Sequence, residues 1–253
     1  AKNSNIVDYI DAVLTPNEEI EHSLLSPSGA KRYLTCPGSV ALSEGYPDDG
    51  NRYSAEGTAA HELASICIRE DKPAEAYLGR VFVVESSGKR YEFEVDQTMA
   101  GNVQSYVDFT ARESESMTDD PIVLCEERVD LAHILGEGEG GTVDFGVFSD
   151  GVVHAIDLKY GQGVKVYAGN NPQLLLYTAG LLKRIGGAEV TTIKMTIVQP
   201  RLNHVDTVTV TREALTSFLR MAKQGAAVVR RAIDEYALAK EDDAQMVRWR
   251  QTY

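Results

Sequence analysis

Apolar residues recur along this chain with two periods, and the switches between them divide it into elements. Ser54 caps a pattern in which Ala60, Leu63, Ala64 and Cys67 share one side of a 3.6-residue helix. Runs at 81–84 and 91–95, joined through Ser86-Ser87-Gly88-Lys89, read as a hairpin. Asp96 then caps a long helix carrying Met99, Val103, Tyr106 and Val107, which the polar run 112–120 closes, and a strand follows at 122–129. After a glycine and glutamate loop at 136–141, two β runs at 142–148 and 152–159 flank Ser149-Asp150-Gly151, the strongest hairpin signal in the chain. Pro172 opens a helix with Leu174, Leu175, Tyr177 and Leu181 that Gly186-Gly187 ends. Ile193, Met195, Ile197 and Val198 form a largely buried strand, 205–210 forms another, and Thr211 caps a last long helix reaching about residue 239.

Toward the front, Ser26 and Pro27 start a helix through Tyr33 and Leu34 that breaks at Cys36-Pro37-Gly38. A second short helix follows, and 44–51 is a loop. Ahead of it, Ile6, Ile10, Val13 and Leu14 mark a peripheral helix ended by Thr15-Pro16-Asn17. The pattern therefore predicts one α/β domain over 26–240 with a mixed central β-sheet flanked by helices, a peripheral segment at 1–25 and a C-terminal tail at 241–253.

The central hairpin carries the candidate chemistry. With Asp150-Gly151 as a two-residue type I′ turn, Ser149 faces Val152 and the same count sets Asp144 directly across from Asp157 on one face. Alternation puts Lys159 on that face as well, with Ile156 and Leu158 on the other. Two opposed carboxylates destabilise a sheet, the more so among Val143, Phe145, Val147 and Ile156, unless a divalent cation bridges them. Mg²⁺ or Mn²⁺ suits two or three acidic oxygens with open water positions. A lysine beside such an ion fits phosphodiester hydrolysis, where a water attacks and negative charge develops. The same spacing also fits a solvated surface hairpin.

Composition narrows the setting. The 253 residues are 43% hydrophobic and 25% charged, which excludes disorder and leaves a core large enough to need no metal for folding. The formal charge of -13 argues against coating nucleic acid by bulk electrostatics, so any DNA contact must be local. No run approaches the apolar length of a membrane span, and Lys2, Asp8, Asp11, Glu18 and Glu19 interrupt the first residues. Cys36, Cys67 and Cys125 are too few and scattered for a disulfide framework or a four-thiolate zinc site, and a reducing cytoplasm is expected, with the thiols as small buried hydrophobes.

Gly141-Thr142-Val143-Asp144 and Ile156-Asp157-Leu158-Lys159 resemble the G-x-x-D and D-x-K elements of the PD-(D/E)XK nuclease superfamily. Gly57-Thr58-Ala59-Ala60-His61 resembles the G-x-x-x-H helix of its RecB-like branch, and Gln173-Leu174-Leu175-Leu176-Tyr177 the downstream Q-x-x-x-Y helix. The opening 25–28 and 36–39 also resemble the start of RecB-type and related phage nuclease domains, and the likeness covers about 26–199. It implies a restriction-endonuclease-like core and a metal held by His61, Asp144, Asp157 and the Leu158 carbonyl. Lys159 would orient or activate the attacking water, and Gln173 and Tyr177, one helical turn apart, would position the strand or support the site. Iron–sulfur members of the branch add C-terminal cysteines to an upstream one; Cys36 has no such partners here, so no iron–sulfur cluster is expected.

The resemblance implies a metal-dependent DNA nuclease, foremost an exonuclease acting on duplex ends in recombination or replication, with DNA and a single-strand annealing or other recombination protein as partners. A structure-specific or single-strand endonuclease is the alternative within that chemistry, and a non-catalytic DNA-end or protein-binding module the alternative outside it. Lys165 and Tyr167, in the glycine-rich loop leaving Lys159, are candidates to grip phosphates and stack a base. Glu126 and Glu127 lie on a strand next to the hairpin and must point oppositely, so one or the other is the candidate for a second-metal ligand. Polarity and oligomeric state leave no signature.

Overall fold

A computed structural model describes residues 23–46, 50–117, 120–187 and 189–253. The peripheral helix expected within 1–25 falls outside them up to residue 22, as do 47–49 of the expected loop and 118–119 of the expected polar run.

The front of the chain folds as the punctuation predicts. Pro27–Gly29 form a 3-10 turn, followed by α1 (Ala30–Thr35) and α2 (Gly38–Leu42). Next comes α3 (Arg52–Glu70), capped by Asn51 and not Ser54: the Asn51 side chain accepts the Tyr53 and Ser54 amide N–H groups, while Ser54 reaches back as the third helical residue of a capping box. A hairpin of β1 (Val81–Ser86) and β2 (Lys89–Glu94) leads into α4 (Gln97–Glu115), where Asp96 accepts the Met99 N–H at 2.7 Å.

Among the described residues the central sheet is mixed and has five strands: β3 (Ile122–Asp130), β4 (Gly140–Ser149), β5 (Val152–Leu158), β6 (Thr192–Gln199) and β7 (His204–Val210), in that spatial order. Only β5 and β6 run parallel, joined through α6 (Pro172–Arg184) as a crossover. Phe145, Val147, Ile156 and Leu158 pack one face against α3, α4 and the β1–β2 hairpin. Val153, Ala155, Ile193, Met195 and Ile197 pack the other face against α6 and α7 (Arg212–Ala239). This alternation is why both faces are covered and β5 reads as nearly continuous apolar sequence.

Two stretches differ from the pattern-based expectation. A short helix, α5 (Ala132–Leu135), stands in the connection before β4. Residues 241–253, expected as a tail, contain α8 (Asp243–Thr252), which docks around Trp249: it is buried, its indole N–H donates to the Ala232 carbonyl at 2.8 Å, and Met246 and Tyr253 pack beside it. The rest of α8 is too polar to announce an amphipathic helix. Of the three thiols, Cys67 is buried and Cys125 half-buried, but Cys36 is exposed, contrary to its expected role as a core residue. Among the described residues no helix is long and apolar enough to cross a membrane.

Candidate metal centre

The site forms where β4 and β5 part. Asp150 and Gly151 both have positive φ, 48° and 74°, as a type I′ turn requires. The ladder runs in the anticipated register from Ser149↔Val152 to Phe145↔Ile156 and then stops. Asp144 and Asp157 thus stand at the fork and not as a paired couple. The Asp144 side chain instead accepts the Leu158 amide N–H through Oδ2 at 2.7 Å, satisfying a donor that a continuing ladder would have used.

On the other side of β4 the pairing with β3 is interrupted at Glu126, whose φ is 51°. Cys125 packs toward the α3 and α4 cluster, and Glu126 faces His61 of the same α3. Regular alternation would send these neighbours to opposite faces. The left-handed residue keeps them on one side, while Glu127 turns away to pair with Arg184 of α6 at 2.9 Å. The structure therefore distinguishes two glutamates that are equivalent in the sequence.

His61 Nδ1 lies 3.4 Å from Asp144 Oδ1 and 3.9 Å from Glu126 Oε1. His61, Glu126 and Asp144 offer ligand atoms all within 4.8 Å of one another and could hold a metal ion. One imidazole and two carboxylates form a hard, anionic donor set suited to a divalent cation. Burial works to lower the His61 pKa, but Asp144, and after it Asp157 and Glu126, outweigh that and raise it to about 9. Burial followed by repulsion from Asp144 lifts the Glu126 carboxyl to about 7.

Asp157 stands outside that group of three. It is 1% exposed, its Oδ1 has no hydrogen-bond partner among the described residues, and its Oδ2 meets the Lys159 ammonium at 2.7 Å as an ion pair. Burial raises its pKa, Lys159 opposes that, and Asp144 adds to it. Lys159 also donates to Gln173 Oε1 at 3.1 Å, and Gln173 Nε2 donates to the Tyr177 hydroxyl at 3.4 Å. Asn171 holds the start of α6 in place by accepting the Gln173 and Leu174 N–H groups.

His61, Asp144, Asp157, Lys159, Gln173 and Tyr177 are therefore linked through contacts around one end of the sheet. Leu158 contributes its backbone N–H, with its side chain buried beneath. Lys165 is exposed on the loop after β5. The addition that sequence left open is Glu126, and no residue type signals its left-handed backbone in advance. A family model described as a protein of unknown function (DUF2800) matches residues 22–248, which includes every one of these positions.

Proposed function

The chain belongs to the DUF2800 family, and we propose that it is a divalent-metal-dependent deoxyribonuclease of PD-(D/E)XK type with a restriction-endonuclease-like core, acting foremost as an exonuclease on duplex ends. The observation that carries this reading is the convergence of four sequence-remote elements. His61 on α3 approaches Asp144 on β4, Asp144 takes the Leu158 N–H at the end of β5, and Asp157 meets Lys159, which Gln173 on α6 holds.

His61, Glu126 and Asp144 would hold Mg²⁺ or Mn²⁺, and the resemblance adds Asp157, whose Oδ1 has no hydrogen-bond partner among the described residues. The ion would supply activation of a water and neutralisation of phosphate charge. Lys159 places a cation where negative charge develops on the phosphate oxygens. Asp157 and Gln173 restrict that flexible ammonium to one direction. Tyr177 fixes the Gln173 amide: its hydroxyl takes the N–H, which leaves Oε1 to face Lys159. Tyr177 is thus a positioning residue that acts through Gln173.

The test is digestion of linear duplex, covalently closed circular duplex and single-stranded DNA with Mn²⁺ or Mg²⁺, beside Asp157→Ala and Lys159→Ala. The parent is expected to degrade linear but not closed circular duplex, and each variant to lose on the order of 10²–10³-fold in rate. Cleavage of closed circles would replace the exonuclease reading with an endonuclease one. Equal rates for parent and both variants would overturn the assignment altogether.

A further inference from the structure

The connection from β5 to α6, residues 159–171, is long for a βα loop, and such loops are usually functional or disordered. This one is held from beneath. Gln199, 2% exposed at the end of β6, accepts the Val166 N–H at 3.1 Å and donates to the Gly161 and Val164 carbonyls at 3.0 Å each. Asp206 on β7 accepts the Ala168 N–H at 2.7 Å. His204 lies 2.9 Å from the Val166 carbonyl and meets the Tyr167 ring edge-on, centroids 5.2 Å apart. Ala168 is fully buried, and the Arg201 guanidinium sits 4.8 Å over the Tyr160 ring at the loop's root.

On its outer side the same loop presents Val164 at 79% and Tyr167 at 59% exposure, with the exposed Lys165 between them. Isolated apolar side chains on a surface need no explanation. Here the backbone that carries them is fixed by a buried glutamine, an aspartate and a histidine from two strands, and it leaves directly from Lys159. A loop fixed in this way presents an apolar edge to solvent at little further ordering cost on binding.

We propose that this loop is a stacking wedge for the end of duplex DNA. Tyr167 and Val164 pack on the terminal base pair, and Lys165 takes a phosphate of the strand directed to Lys159, so that this strand is separated from its complement. An aromatic face stacks on any base, and apolar side chains part base steps in other DNA-binding proteins, so the device needs no sequence preference. The inference rests on the nuclease reading and adds to it the recognition of a base-paired end.

The experiment uses the full chain and blunt duplexes carrying 2-aminopurine in the terminal pair. In Ca²⁺, used to bind without turnover, the parent is expected to raise the fluorescence severalfold on binding, and the double variant Val164→Ser/Tyr167→Ala to abolish the rise. In Mn²⁺ the variant's ratio of duplex to single-strand degradation should fall at least tenfold below the parent's. Duplexes whose last three pairs are mismatched should restore that ratio, because the wedge's work is then already done. A variant that opens and degrades blunt duplex as the parent does would overturn the wedge and leave the nuclease reading standing. A parent that cuts no DNA of any form in Mn²⁺ or Mg²⁺ would overturn both.

Discussion

Glu126 holds a left-handed backbone at φ 51° in the middle of a strand, a conformation that costs a non-glycine residue about 1–3 kcal/mol. The same residue brings a third ligand atom to His61 and Asp144, so local strain and the candidate centre coincide. These three groups also set how a metal competes with protons. With a pKa near 9, His61 is an imidazolium at neutral pH and must release its proton before Nδ1 can bind a metal; Glu126, near 7, adds to this at lower pH. The sign follows: acid weakens metal binding and alkali strengthens it. Mn²⁺ affinity measured by calorimetry should rise roughly tenfold per pH unit between 7.5 and 8.5, where the His61 proton is the one displaced, and more steeply near 6.5, where Glu126 releases a second. His61→Asn should bind more weakly at pH 8.5 and with a shallower pH slope. An affinity independent of pH in the parent would remove His61 from the ligand set.

At the scale of elements, the site depends on how closely α6 lies on the sheet, and glycines set that distance. A Cβ added at Gly180 would fall 2.5 Å from Val129 Cβ, and one at Gly146 would fall 2.8 Å from Leu181 Cδ2. Gly180→Ala must therefore lift α6 from β3, which overpacking of this kind penalises by about 1–3 kcal/mol, and must move Gln173 relative to Lys159. Gly57 on α3 is the opposite case: its φ is not positive and nothing among the described residues lies within 4 Å of an added Cβ, so Gly57→Ala should stabilise the helix by about 0.5–1 kcal/mol. Thermal melts should shift down for the first variant and up for the second. Equal shifts would mean that the glycines do not set the packing of α6.

Much of this level was legible in the sequence, since Asp150-Gly151 sets the hairpin register, Asp96 and Thr211 cap the helices they precede, and the alternation along β5 assigns its two faces. What was not legible is where a ladder stops. The pairing count runs unbroken through Asp144 and Asp157, and only the competition of the Asp144 carboxylate for the Leu158 N–H ends it there. The α8 helix is not legible for a different reason: Met246, Trp249 and Tyr253 dock it, too sparse a set among polar neighbours to announce a helix.

For the whole molecule the central quantity is the charge of -13, which a DNA-binding protein must overcome. Several basic side chains are committed to internal ion pairs: Arg184 with Glu127, Lys183 with Asp130, Lys194 with Glu113, Arg201 with Glu56 and Arg230 with Glu139. Each such cation is already neutralised and displaces few counterions from DNA. On the nuclease reading the footprint lies around Lys165 and around Lys159, which is itself paired with Asp157 at 2.7 Å, and the divalent ion reverses the sign of a site that otherwise presents Glu126 and Asp144 to phosphate. Binding of a duplex in Ca²⁺ should weaken only gradually with salt. A footprint of about two to four phosphates gives a slope of log K against log [salt] of about -2 to -4. Chelation with EDTA should abolish binding at the same ionic strength, because it removes attraction and restores repulsion at one point. A slope steeper than about -6, or binding that survives EDTA, would require a broad basic face elsewhere on the molecule and would separate DNA affinity from the carboxylate site.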